Sequence, residues 1–218
     1  MPMTAGLLTF ECTVLAPGGV RLPASVELPE PAIALAILAH GAGSSRDSPR
    51  GVAVAGTLHR FGIGSMRVDL LGAEKSRDRD LVFDIGLLAD RLEAAVGFVA
   101  GDDRTRNLPI ALVGASTGAA AALVVAARRP GRVVAVVSRG GRADLAGESL
   151  ASVRTPTLLL VGSEDPVVLD LNREALAKLG GEKELVTIPG ATHLFEEPGA
   201  LEEVARRTAR WIAAHALP

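Results

Sequence analysis

From Ala32 onward, short apolar runs alternate with longer stretches in which apolar residues recur every three or four positions. The runs Ala32 to Ala39, Ile63 to Val68, Ile110 to Val113, Val133 to Val137, Thr157 to Val161 and Glu184 to Ile188 predict strands. Between them, Pro49–Arg60, Leu81–Ala100, Thr117–Arg129, Leu169–Leu179 and Ala200–His215 predict helices. In the second of these helices, Leu81, Ile85, Leu88 and Leu92 recur at helical spacing, and Asp84, Arg91 and Glu93 fall where an outer face would be. Ahead of this pattern, Leu7 to Leu15 and Val20 to Leu28 predict two strands around the turn Ala16-Pro17-Gly18-Gly19. Pro23 has no N–H to give to a ladder, so it predicts an edge position for the second strand.

Strands that alternate with helices imply a mainly parallel sheet covered on both faces. A strand buried on both sides should read as an unbroken apolar run, and Ile33 to Ala39 does. No repeat, linker or low-complexity segment interrupts residues 1–218, which are read as one α/β domain. In such a sheet, sites form where the carboxyl ends of strands meet loops.

Composition removes several function classes. Hydrophobic residues make up 48% and charged residues 22%, a globular balance. The net charge of -2 offers no basic footprint for nucleic acid, and zero Tyr with one Trp supplies no stacking platform. The uncharged stretch Ile110 to Ala127 approaches the length of a membrane span, but it is mostly Ala, Gly, Ser and Thr. It is read as a buried strand and helix, and no membrane partner is expected. The single cysteine, Cys12, cannot form an internal disulfide, which fits a reducing, cytoplasmic setting. The N-terminal residues show no basic region followed by an apolar run, so no secretory leader is read there.

Candidate chemistry sits in the loops at the strand ends. After Ile110 to Val113 comes Gly114-Ala115-Ser116-Thr117-Gly118, then an Ala-rich helix. This is G-x-S-x-G at a strand-to-helix junction, the setting of a nucleophile elbow. A serine hydroxyl needs a base. Of the four histidines, His193 comes just after the last strand and is the candidate. His40 ends another strand and is read as bracing its loop, while His59 and His215 are read as solvated or packed. The base in turn needs a carboxylate to hold its tautomer. Asp165, after Thr157 to Val161, is the candidate acid, with Glu164 beside it and Asp144 as the other option. The order Ser116, Asp165, His193 is nucleophile, acid, histidine. An oxyanion would be held by the N–H of Thr117 and by the N–H of Ala42 in His40-Gly41-Ala42-Gly43. Arg46, Arg139 and Arg142 fall in loops at the same end of the sheet, and guanidinium groups recognise carboxylates, so a polar or anionic substrate is expected. No metal-ligand spacing and no phosphate-binding loop is read.

These motifs resemble the dienelactone-hydrolase-like group of α/β-hydrolases. The resemblance rests on His40-Gly41-Ala42-Gly43, Val68-Asp69-Leu70-Leu71, Gly114-Ala115-Ser116-Thr117-Gly118, Gly162-Ser163-Glu164-Asp165 and Gly190-Ala191-Thr192-His193-Leu194-Phe195. It implies the α/β-hydrolase fold with eight strands, strand 2 antiparallel, no cofactor, and hydrolysis of small esters or lactones. Dienelactone hydrolases carry cysteine at the nucleophile; Ser116 stands there here, so a carboxylesterase is the reading. The connection Ser138 to Pro156 is too short for a lid domain. An acyltransferase or peptidase using the same three residues, and a binding protein that kept the fold, are the alternatives. Oligomeric state, a homodimer among the options, is not read from the chain.

Overall fold

The computed structural model of the protein describes residues 6–72 and 75–216. Residues 1–5, read above for a leader, lie outside the described residues. The chain opens with a hairpin. β1 (Leu7–Ala16) and β2 (Val20–Pro29) pair antiparallel, with Ala16 opposite Val20. The turn between them, Pro17–Gly19, places Gly18 at φ 74° and Gly19 at φ 73°, which glycine adopts without a Cβ clash.

The alternating part comes next. It runs β3 (Ala34–Ala39), α1 (Pro49–Arg60), β4 (Ile63–Val68), α2 (Arg79–Phe83), α3 (Ile85–Gly101), β5 (Ile110–Ala115), α4 (Thr117–Arg128), β6 (Val133–Arg139), β7 (Thr157–Gly162), α5 (Pro166–Lys178), β8 (Lys183–Ile188) and α6 (Ala200–Ala216). The eight strands form one sheet in the order β1-β2-β4-β3-β5-β6-β7-β8. β2 runs antiparallel to both β1 and β4, and all pairs from β4 to β8 are parallel. This is the α/β-hydrolase arrangement expected above.

Three sequence expectations are corrected. Arg91 is not on an outer face of α3; it is buried and donates to the Leu70 carbonyl at 2.6 Å. β2 is not an edge strand; β1 is. Pro23 is tolerated because the β2–β4 ladder spans only Ala24 to Glu27, and the Pro23 carbonyl still accepts from Asp69 N–H at 3.0 Å. The helix predicted over Leu81–Ala100 is two helices. Asp84 leaves helical geometry at ψ 82°, and its carboxylate caps α3 by accepting from Leu87 N–H at 2.9 Å.

The sheet separates two apolar layers by strand alternation. Leu35 and Ile37 of β3, Leu112 of β5 and Val136 of β6 pack with Leu88 and Leu92 of α3 and Leu123 of α4. Ala34 and Ala36, Ala111 and Val113, and Ala135 and Val137 of the same strands face α1 and α6, where Leu58, Val204 and Ile212 lie. Connections from β3 and β5 leave toward opposite edges of the sheet, which opens a crevice between their carboxyl ends. Between β6 and β7 the chain makes only 3-10 turns across Ala143–Ser152, so nothing roofs that crevice from this connection.

Leu92 is fully buried between α3 and the sheet. Leu92→Ala is expected to lower the unfolding free energy by about 2–5 kcal/mol, read as a shift of the urea midpoint without a change in slope.

Candidate active site

The crevice is bounded by the turn after β5. Ser116 has φ 50°, a left-handed value that a residue with a Cβ rarely takes. The chain reverses so tightly there that its neighbours must be glycine. A Cβ on Gly114 would lie 2.3 Å from Ala119 Cα, and one on Gly118 would lie 2.4 Å from the Ala39 carbonyl oxygen. α4 begins directly after the turn and is buried from Thr117 to Ala126. Its amino end points its partial positive charge at Ser116.

His193 lies across the crevice, in the loop between β8 and α6. Its Nδ1 is 2.6 Å from Asp165 Oδ2, so Nδ1–H donates a hydrogen bond to the carboxylate and Nε2 is left for the cavity. Asp165 stands at the start of α5, directly after β7, and its side chain does not cap that helix because it is turned to the histidine. Asp144, the other acid considered, holds Arg142 instead, with oxygens 2.9 and 2.8 Å from the guanidinium. Glu164 accepts from Ser163 Oγ at 3.1 Å and stays outside. Ser116 and His193 line the same cavity of about 250 Å³.

The loop after β3 forms the facing wall. A Cβ on Gly41 would lie 2.7 Å from Ser116 Cβ, so this backbone passes directly against the serine. Ala42 lines the cavity, while Thr117 is buried behind Ser116. Neither backbone N–H has an acceptor among the described residues. The loop is pinned at several points. His40 Nε2 accepts from Leu70 N–H at 3.2 Å, which leaves the proton on Nδ1 to be donated to the Gly41 carbonyl at 3.0 Å. Arg46 N–H donates to Asp69 Oδ1 at 2.8 Å, and Arg67 donates to the Arg46 carbonyl at 2.9 Å. His40 is therefore a brace. His59 bonds Ser65 Oγ at 2.9 Å and His215 packs on Trp211, both remote from this loop's function.

The three arginines singled out from the sequence part company. Arg46 touches the cavity, but its guanidinium is engaged by Glu11, by Ser25 Oγ at 3.0 Å and by Asp69 at 3.5 Å. Arg142 does not line the cavity, and its hydrogen bonds to Asp144 hold its pKa above the ordinary value. Arg139, at the carboxyl end of β6, lines the cavity and pairs with no described residue. Burial, and then the charge of Arg50, pull its pKa down to about 10, so it remains a cation at neutral pH. Arg50 was not anticipated as a cavity residue. It sits in the first turn of α1, bonded to Glu196 at 3.1 Å, and nothing in its local sequence says which strand end it faces. Among the described residues, no group of His, Cys, Asp or Glu side chains is arranged to hold a metal ion, and no helix is long and apolar enough to cross a membrane.

Known proteins share this architecture. Residues 79–215 match the dienelactone hydrolase family. The crystal structure of a dienelactone hydrolase from Anabaena variabilis superposes with a TM-score of 0.92, at 45% identity over 96% of this chain and 98% of that one. A protein from Xanthomonas campestris described as an α/β serine hydrolase without lid superposes with a TM-score of 0.70, at 25% identity over 92% of this chain and 94% of that one. A Mycobacterium tuberculosis protein, provisionally named a phosphoribosyl transferase, is 50% identical over 198 residues, 91% of this chain but 45% of its own length. The chain thus spans less than half of the curated relatives it matches.

Proposed function

This chain belongs to the dienelactone hydrolase family of hydrolases, and we propose that it is a serine hydrolase that cleaves small carboxylic esters or lactones through an acyl-enzyme. The observation that carries the reading is the pairing of a serine at positive φ on the elbow with a histidine whose Nδ1 is held by a carboxylate. In this reading Ser116 Oγ attacks the ester carbonyl carbon and its proton passes to His193 Nε2. The N–H groups of Thr117 and Ala42 hold the oxyanion, and Asp165 stabilises the imidazolium without taking its proton. Collapse of the tetrahedral adduct breaks the C–O bond, and the alkoxide leaves with the proton from His193. Water then attacks the acyl-serine by the same route, returning acid and free Ser116.

The substrate we propose carries an anionic group on the side of Arg139. A largely desolvated guanidinium with no counter-charge among the described residues costs free energy, and a carboxylate placed against it recovers that cost. The phosphoribosyl transferase name supplies a second reading for the longer relatives. At most 20 residues of this chain fall outside the matched 198 of 218, so Ser116, Asp165 and His193 all lie within the shared segment. The hydrolase reading is therefore the one proposed for this segment. Assay of the purified chain for ester cleavage and, separately, for consumption of phosphoribosyl pyrophosphate decides between the two. Product analysis with added alcohol or amine acceptors separates hydrolysis from acyl transfer.

Three outcomes are expected. Ser116→Ala should abolish fluorophosphonate labelling and lower ester kcat by at least about 10³-fold, since triad members act as a unit; retained labelling would remove Ser116 as the nucleophile. Asp165→Asn should lower kcat by about 10⁴-fold and Asp144→Asn far less, because only the first orients the histidine; the reverse order in steady-state kinetics would move the acid to Asp144. Arg139→Ala should raise KM about 10- to 100-fold for a carboxylate-bearing ester and leave a matched neutral ester nearly unchanged, the range expected for a lost charge-assisted hydrogen bond. Equal effects on both esters would refute anion recognition by Arg139.

A further inference from the structure

We propose that Asn172, a buried residue of α5 that does not line the cavity, is a positioning residue for the nucleophile, an inference that rests on the serine hydrolase reading. The turn after β6 lies between the base and the nucleophile. Gly140 has φ 53°, and its N–H donates to the Leu160 carbonyl at 2.8 Å. A Cβ there would lie 2.9 Å from the His193 carbonyl oxygen and 3.7 Å from His193 Cε1, so this backbone lies against the base. The next residue lies against the nucleophile's helix: a Cβ on Gly141 would be 2.4 Å from Ala119 Cβ and 2.0 Å from Ser138 Oγ. Arg142 N–H then donates to the Ser116 carbonyl at 3.0 Å. One short turn therefore spaces the histidine loop from the elbow and grips the backbone of the serine itself.

Asn172 fixes that turn from below. Its Nδ2 donates to the Gly141 carbonyl at 2.8 Å and to the Val168 carbonyl in its own helix, also at 2.8 Å. Both amide protons are used, which decides the orientation of the group. Its Oδ1 is buried with no hydrogen-bond partner among the described residues. Burial of that oxygen is unfavourable, and an apolar side chain of similar size would avoid it. What an apolar side chain, or an aspartate, would not supply is two donors aimed at two carbonyls. The same helix starts at Pro166, next to Asp165. Through Asn172, the element that begins at the acid is thus tied to the turn that touches the base and holds the nucleophile. Without the amide, the Gly141 carbonyl loses its donor, Arg142 N–H shifts, and Ser116 Oγ moves relative to His193 Nε2. A misplacement of about 1 Å in a reacting group costs on the order of 100-fold in rate.

The test separates placement from folding. Asn172→Asp and Asn172→Ala are prepared, their active sites are titrated with a fluorophosphonate, and kcat and KM for p-nitrophenyl butyrate are expressed per titrated site, with Tm measured alongside. The expected result is a kcat per site about 10- to 100-fold below wild type, with KM within about twofold. A residue that merely supports the fold would lower Tm and the number of titratable sites but leave kcat per site unchanged, and that result would overturn the proposal. If Asn172→Asp yields no folded protein, Asn172→Ala, uncharged and a good helix former, decides by the same ratio. A wild type that takes up no fluorophosphonate would instead refute the serine hydrolase reading, and Asn172's role with it.

Discussion

The structure depends on one constraint, the left-handed backbone at Ser116. A residue with a Cβ at positive φ costs on the order of 1–3 kcal/mol and persists only where its surroundings leave no alternative. Here the surroundings are the middle of the sheet. β5 pairs with β3 on one side and β6 on the other, and α4 is buried along nearly its whole length. The alanines of α4 let that helix lie close to the strands, and Gly114 and Gly118 admit the reversed chain where any Cβ would collide with backbone. The core supplies the free energy that holds the serine in place.

Around that fixed point the structure is assembled from the carboxyl ends of five strands. β3 delivers the His40–Gly43 loop, β5 the serine, β6 Arg139 and the Gly140–Gly141 turn, β7 Asp165, and β8 the loop of His193. None of these loops is left to itself. The first is fastened by His40, Asp69 and Arg67, and the third by Asn172 and the Leu160 carbonyl. The groups of the proposed site are thus set on rigid strands and trimmed by short polar contacts, as precise sites require.

Charge is distributed with the same economy. Most arginines near the crevice are answered by carboxylates: Arg46 by Glu11 and Asp69, Arg67 by Glu27, Arg142 by Asp144 and Arg50 by Glu196. Arg139 alone among these has none among the described residues. Paired surface charges contribute little to stability. An unpaired one in a cavity is a different matter, and in the proposed reading the anionic group of the substrate is its counter-charge.

The sequence by itself determined the architecture and the candidate groups of the site, because both are written in local patterns. Unbroken apolar runs such as Ile33 to Ala39 mark strands buried on two faces, and Gly114-Ala115-Ser116-Thr117-Gly118 between a strand and an Ala-rich helix marks the elbow whatever surrounds it. The order Ser116, Asp165, His193 could be read for the same reason, since each lies just past the end of a strand. Only the tertiary structure decided matters of partnership. Pro23 looked like an edge residue because a sequence does not say where a ladder stops, and the break at Asp84 was hidden by apolar spacing that continues through it. Arg46, Arg139 and Arg142 read alike in the sequence, and the fold decides that the first two line the cavity while the third does not, and that Glu11 reaches Arg46 while no described carboxylate reaches Arg139. Asn172 carried no signal at all: an asparagine inside a helix reads as a solvated residue until the fold brings the Gly141 carbonyl to its amide. Local chemistry names the groups, and long-range packing decides which of them are free to act.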